Sequence, residues 1–163
     1  MQTFLPYADS RRSAKCLDYK RLGKQRVEAL QIHNIVSTDR RTGGWVNHPA
    51  VVMWRNAPNA LAAYQNAMID EWVYRGFNNT MKLLPVTTCT SCFTIHMPTW
   101  IGDERVHSSH RSNLLRKAPD YYADFGWGER DDMPYFWPTN SSDSTADSVS
   151  QNIGTLCVLE GGE

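Results

Sequence analysis

The chain has 163 residues, 41% of them apolar, the size of one domain that can bury a core without disulfide or metal staples. No apolar run approaches the roughly 18 residues of a spanning helix, and no basic segment leads into an apolar one at the start, so a cytoplasmic protein with no membrane partner is expected. Formal net charge is zero, which argues against a generic nucleic-acid binder until the charges are located along the chain.

The charges are unevenly placed. Residues 1–41 hold nine Lys/Arg against four acids, and residues 105–117 hold four bases and no acid. Residues 118–163 hold one base, Arg130, against nine acids, which leaves residues 1–117 at net +8. A cationic body suited to phosphates, offset by an acidic tail, is one reading; an ordinary basic surface is the other.

In chain order, residues 1–7 form a short apolar start broken by Pro6, and Asp9 or Ser10 caps a helix predicted to run to about Val36. Gly23 costs about 1 kcal/mol relative to Ala inside a helix, so two shorter helices breaking there are the alternative. Leu22, Ala29, Ile32 and Val36 recur as a core stripe, while Arg21, Lys24, Glu28 and Gln31 fall on another face. Residues 13–34 are the most informative stretch, because they set Glu28 among Arg21, Lys24, Gln25 and Arg26. A carboxylate within a cationic face suits acid–base chemistry on a phosphate-bearing substrate. A salt bridge from Glu28 to Arg21 or Lys24 is the structural alternative. His33 is placed to line the same cleft or to interact with the helix C-terminus.

Residues 40–44 form a basic, Gly-rich turn leading to the Asn47-His48-Pro49 corner, where an imidazole that titrates near about pH 6.5 can transfer protons or bind phosphate, or instead fix the loop as a cap. A proline-initiated helix is predicted over Pro58 to Tyr74, ended by Arg75-Gly76. Arg55 and Arg75 are candidates for phosphate contacts or for surface pairs with Asp70 or Glu71. Trp54 suits core packing better than a base-stack wedge. Residues 84–98 read as loop with a brief strand. A further helix is predicted from Ser108 to Lys117, serine-capped and stopped by Pro119, with His110 and Arg111 at its start as a phosphate site. Seven aromatics between Tyr121 and Trp137 read as a wrap closing the core, or as surfaces for stacked bases. Residues 1–138 thus form the domain, and 139–163 a Ser/Thr/Asp-rich acidic tail that need not fold.

Four cysteines, Cys16, Cys89, Cys92 and Cys157, are irregularly spaced and expected to be reduced. Cys89-x2-Cys92-x3-His96 with His107-x2-His110 holds enough ligand types for tetrahedral zinc, but the second pair lacks a matching spacing, and neither a metal nor another cofactor is expected. The His-x-Glu and Pro-Cys-x-x-Cys signature of zinc deaminases is absent.

MQTFLPY, AKCLDYKRLGKQRVEAL, NHPAVVMW, EWVYRGF and SHRSNLLRK, in this order over roughly residues 1–137, resemble the pyrimidine dimer DNA glycosylases of the phage endonuclease V type, most closely a cytoplasmic branch. The resemblance implies a mostly helical domain from a phage or bacterium that binds double-stranded DNA, kinks it, flips a nucleotide and attacks C1′. In the phage-type enzyme the α-amine of a small second residue is the nucleophile, helped by a glutamate in an Arg-Glu-x-x-Arg segment. This chain departs at both points. Its second residue is Gln2, whose large side chain disfavours removal of Met1, and the glutamate position falls on Gly23 while the second arginine matches Arg26. Glu28, five residues on, is the candidate to polarise a water or stabilise an oxocarbenium-like sugar, with Asp18 second.

The sequence therefore predicts a mainly α, single-domain DNA N-glycosylase, possessing or lacking an associated lyase step. Its candidate catalytic residues are Glu28, Asp18, His48 and His110, and its candidate DNA contacts are Arg21, Lys24, Gln25, Arg26, Asn47, Arg55, Arg111 and Lys117. A non-catalytic DNA-binding module and an enzyme of modified-nucleotide metabolism are the alternatives.

Overall fold

The computed structural model describes residues 1–138 apart from positions 39 and 92; the expected tail at 139–163 lies outside the described residues. The elements in order are α1 (Ser10–Cys16), α2 (Tyr19–Val36), α3 (Pro49–Val52), α4 (Pro58–Tyr74), α5 (Glu104–Lys117), α6 (Pro119–Tyr122) and a 3-10 turn at Ala123–Phe125. The fold is mainly α, as expected. Among the described residues no strand forms, including over 84–98, and no helix is long and apolar enough to cross a membrane.

The predicted helix from Asp9 to Val36 is two helices, and the break falls at Leu17-Asp18 rather than at Gly23. Asp9 caps α1 by accepting the Arg12 N–H at 2.6 Å, and Asp18 caps α2 by accepting those of Lys20 at 2.9 Å and Arg21 at 3.2 Å. The carbonyls exposed at the end of α1 are taken up by Arg75, which donates to Leu17 at 2.7 Å, Lys15 at 2.9 Å and Ala14 at 3.2 Å while Glu71 holds its Nε at 2.7 Å. Arg75 is thereby a clamp between α4 and α1. Gly23 lies within α2 and the Trp72 ring rests against it; a Cβ there would meet Trp72 Cζ3 at 3.0 Å.

Helix α4 has the predicted bounds. Pro58 starts it and Gly76, at φ +82°, ends it in the left-handed region that glycine tolerates. It packs chiefly on α2 and then on α1, burying Leu22, Ala29, Ile32, Leu61, Tyr64 and Met68 completely or nearly so. Trp54 is core as well, its indole N–H donating to Thr3 Oγ1 at 2.8 Å. Helix α5 begins four residues earlier than predicted, because Asp103, not a serine, caps it through the Arg105 N–H at 3.0 Å. The aromatic segment after it does wrap the core: Tyr122 is fully buried and stacked on Trp127 at 5.5 Å, and Tyr135, Phe136 and Trp137 pack against the core edge.

Residues 2–6 are buried yet belong to no helix or sheet, so their backbone groups need side-chain partners. They have them. Phe4 N–H donates to Gln25 Oε1 at 2.9 Å, and Leu5 N–H to His110 Nδ1 at 2.9 Å. The Phe4 carbonyl lies 3.0 Å from the Tyr64 hydroxyl, the Leu5 carbonyl 2.7 Å from His107 Nδ1, and the Pro6 carbonyl 2.7 Å from Arg111 Nη1. Three elements, α2, α4 and α5, thus grip one irregular segment of chain through side chains.

This arrangement sets an acid limit on stability. Complete burial, together with the neighbouring His107, pushes His110 down to about 3 from 6.5. A histidine depressed in the folded state binds its proton more readily when unfolded, so its contribution is whole above about pH 6.5 and declines as pH falls toward 3. Unfolding free energies from urea titrations are expected to drop over that window by up to about 1.4 kcal/mol per pH unit. A flat profile from pH 6 to 4 in wild type, or an unchanged slope in His110→Leu, would contradict this origin.

Candidate active site

One face of α2 carries the site. At its first turns Lys20, Arg21 and Lys24 border a cavity of about 580 Å³ that is also lined by Met1, Gln2, Phe4, Lys117 and Tyr135. Lys20, Lys24 and Glu28 follow at i, i+4 spacing, so the carboxylate stands at the inner end of the cationic row. Burial, reinforced by Arg116, Arg21 and Lys24, lowers the affinity of Lys117 for its proton, while Glu28 opposes that effect. Such crowding of like charge favours an anionic occupant.

Glu28 is half-buried and held from two sides. Its Oε2 accepts from Gln25 Nε2 at 3.0 Å and faces the backbone N–H of Gln2 at 3.4 Å. Gln25 is almost fully buried, and its orientation is fixed: Oε1 accepts from Phe4 N–H and lies 2.6 Å from the Tyr64 hydroxyl, so Nε2 must point to Glu28. The gripped N-terminal segment therefore sets residue 2 against the acid, and the core glutamine aims the acid into the cavity. A carboxylate so placed, beside cations and open to the cavity, can polarise a water or stabilise positive charge developing on a sugar.

His48 lies near this cluster. Its Nδ1 accepts the Ala50 N–H at 3.1 Å, capping α3, and its ring contacts Trp45 and Trp137. Partial burial lowers its proton affinity, the chain's α-amine adds to that, and Glu28 counteracts both. Of the two roles the sequence offered, the structure shows the cap, and His48 borders neither the cavity above nor another that Glu28 lines.

The other predicted residues divide cleanly by location. Arg21, Lys24, Gln25, Glu28 and Lys117 converge on the cavity. Asp18 does not line it: besides capping α2 it accepts from the Tyr122 hydroxyl at 2.8 Å and pairs with Arg21 at 3.3 Å. His110 is sealed between Phe4 and Tyr135 and bound to Leu5. Arg111 is occupied by Glu129, Glu104 and the Pro6 carbonyl. Arg26 stacks over Trp72 at 4.0 Å and donates to Asn79 at 2.8 Å, Arg55 donates to the Val46 carbonyl at 2.6 Å, and Asn47 is exposed outside the cavity. His33 is also outside it, in the last turn of α2. Tyr135, one of the seven aromatics read from the sequence as a core wrap or as surfaces for stacked bases, lines the cavity, and so do Lys20 and Phe4, which the sequence reading does not single out. The spacing of Lys20 from Lys24 is a usable signal; nothing local marks Phe4.

Of the candidate zinc ligands, Cys92 lies outside the described residues, while His107 and His110 are committed to Leu5 from opposite sides of its peptide groups. Among the described residues no group of three or more His, Cys, Asp or Glu side chains is assembled to hold a metal.

A family model described as pyrimidine dimer DNA glycosylase matches residues 1–84, the part of the chain that contains the N-terminal segment, α1, α2 and α4. No curated protein and no solved structure matches the chain.

Proposed function

The chain belongs to the pyrimidine dimer DNA glycosylase family, and from that premise we propose that it is a cytoplasmic DNA N-glycosylase that excises a damaged or modified pyrimidine from duplex DNA by base flipping and attack at C1′. The observation that carries this reading is the Glu28 carboxylate held by Gln25 and the Gln2 N–H at the inner end of the Lys20, Arg21, Lys24 and Lys117 cavity. Those four cations bind the phosphates flanking the everted nucleotide. Glu28 then serves the sugar: it polarises the attacking water and offsets the positive charge that grows on the ring as the glycosidic bond breaks. Flipping costs a few kcal/mol, least at a weakened base pair, so part of the selectivity comes from the lesion itself.

Water is the favoured nucleophile because Gln2 disfavours removal of Met1, which would keep the residue-2 nitrogen in a peptide bond rather than as an amine. Purified protein is to be incubated with duplexes carrying cyclobutane pyrimidine dimers or hypermodified pyrimidines, with borohydride added in parallel. The expected result is free base and abasic sites without a trapped covalent adduct. An adduct would replace water by an amine and add a lyase step. Binding without product on either substrate would favour the non-catalytic module.

A further inference from the structure

Resting on the glycosylase reading, we propose that Gln2 is a further catalytic residue: its side-chain N–H, with the Tyr135 hydroxyl beside it, donates to the C2 carbonyl oxygen of the departing pyrimidine and stabilises the negative charge that the base carries away. Glu28 serves the water and the sugar, which leaves the electron pair of the breaking bond without a receiver. The Gln2 carboxamide has one fixed orientation. Its Oε1 accepts the Thr3 N–H at 2.8 Å, and a backbone N–H can only donate, so Nε2 is the free arm of the fork. Thr3 is itself fully buried and held by Trp54, whose indole N–H reaches Thr3 Oγ1 at 2.8 Å. Gln2 is only 7% exposed, yet Nε2 has no hydrogen-bond partner among the described residues. A donor shut away from water and left unpaired opposes folding, and an acceptor that arrives with the substrate accounts for its retention beside a cavity. Arg26, Gln65 and His110 also hold buried atoms without partners, but none of these residues lines the cavity.

The same residue meets the acid. Its backbone N–H faces Glu28 Oε2 at 3.4 Å, so the unpaired donor stands one glutamine side chain away from the carboxylate, on a residue that borders the same cavity. Tyr135 borders it too, its ring packed against Phe4 at 6.3 Å and His110 at 5.9 Å. Burial raises the pKa of Tyr135 and Glu28 adds to that, while Arg116, the Gln2 carboxamide and Arg21 oppose it; the hydroxyl therefore keeps its proton and can donate. Because the carboxamide favours the ionised phenol, its N–H arm faces the Tyr135 oxygen, without forming a hydrogen bond to it. Two donors thus converge beside an acid. In attack by water, the water oxygen bonds to C1′ and its proton passes to Glu28, while the C1′–N1 electron pair leaves with the base. N1 of a pyrimidine adjoins the C2 carbonyl, also when the ring is saturated at C5 and C6 as in a cyclobutane dimer, so the charge spreads onto that oxygen until solvent protonates the released base. Donors fixed there in advance bind the oxygen more strongly as charge grows, which lowers the barrier.

The test uses the full chain, with single-turnover excision and gel shifts on duplexes carrying a cyclobutane pyrimidine dimer, 5-hydroxymethyluracil or 5-formyluracil. Gln2→Glu keeps the acceptor for the Thr3 N–H and puts an oxygen in place of the donor, whereas Gln2→Met removes the donor without adding charge. Both replacements are bulky, so Met1 stays in place. On every substrate that wild type excises, each variant is expected to lose roughly 100- to 1,000-fold in excision rate, the usual worth of one such donor, while duplex affinity stays close to that of wild type. Tyr135→Phe keeps the ring, and is expected to lose excision in the same sense with its thermal midpoint retained. The formyl group withdraws electrons and makes the better leaving base, so where both 5-substituted bases are substrates the loss is expected to be smaller on 5-formyluracil; a packing defect would slow both alike. Unchanged excision in the two Gln2 variants, a loss matched by an equal loss of affinity, or equal losses on the two bases would overturn the assignment while leaving the glycosylase reading intact. Wild type that excises none of the three would remove both.

Discussion

Glu28→Gln is expected to bind duplex DNA at least as tightly as wild type and to lose about 100- to 10,000-fold in kcat, the usual worth of a positioned acid–base group. The reasoning starts from the contacts. The glutamine carbonyl can still accept from Gln25 Nε2 and the Gln2 N–H, so the local structure survives the change. What disappears is a negative charge among Lys20, Arg21, Lys24 and Lys117. Phosphate binding therefore improves or stays level, while the group that polarises water or steadies the sugar is gone. Gel shifts and single-turnover excision separate the two. Equal loss of binding and turnover would mean that Glu28 organises the cavity rather than serving the chemistry, and unchanged turnover would move the catalytic assignment elsewhere.

Gln25→Leu should be the most damaging single change near the site that leaves every charge in place. Leucine matches the glutamine in bulk but removes the acceptor for the buried Phe4 N–H, a loss of about 1–3 kcal/mol in itself, and leaves the Tyr64 hydroxyl only its longer contact to the Phe4 carbonyl. It also frees Glu28 on one side. Lower urea stability together with reduced turnover is expected. Because a purely structural defect would do the same, Gln25→Glu is the informative partner. Ionised, it retains both acceptor functions but sets a second carboxylate against Glu28, and two such groups compete to keep a proton. The acid limb of the pH–rate profile is then expected to move to higher pH. If Gln25→Glu keeps the wild-type profile, Gln25 does not act through Glu28.

Much of the helical framework was legible because its signals are local. Pro58 and Gly76 delimit α4 through the fixed φ of one and the left-handed φ of the other, and Asp9 caps α1 within three residues of itself. The spacing of Arg21, Lys24 and Glu28 likewise requires only helical geometry to place them together. The two boundary differences have separate causes, one distant in sequence and one local. Gly23 was weighed by its propensity, whereas the ring of Trp72, nearly fifty residues away in sequence, makes a side chain at that point unwelcome. At α5 the serine at 108 is the apparent cap, but Asp103, five residues before it, offers the better-placed carboxylate.

By itself, then, the sequence determined the helical class, the bounds of α4, and the concentration of positive charge around one acid on α2, since each follows from periodicity, caps and charge counted along the chain. Tertiary structure alone decided which polar residues belong to the cavity. His110, Arg111 and Gln25 look alike in sequence as polar groups on helices, yet Leu5 is 105 residues from His110 and Phe4 is 21 from Gln25, and those backbone groups, buried and without a sheet, claim them. The same demand turns two of the three into anchors of the N-terminal segment and the third into the support of Glu28. Hydrogen-bond saturation of buried backbone is a global condition, satisfied only once the chain has closed on itself, and no local pattern encodes which side chains will meet it.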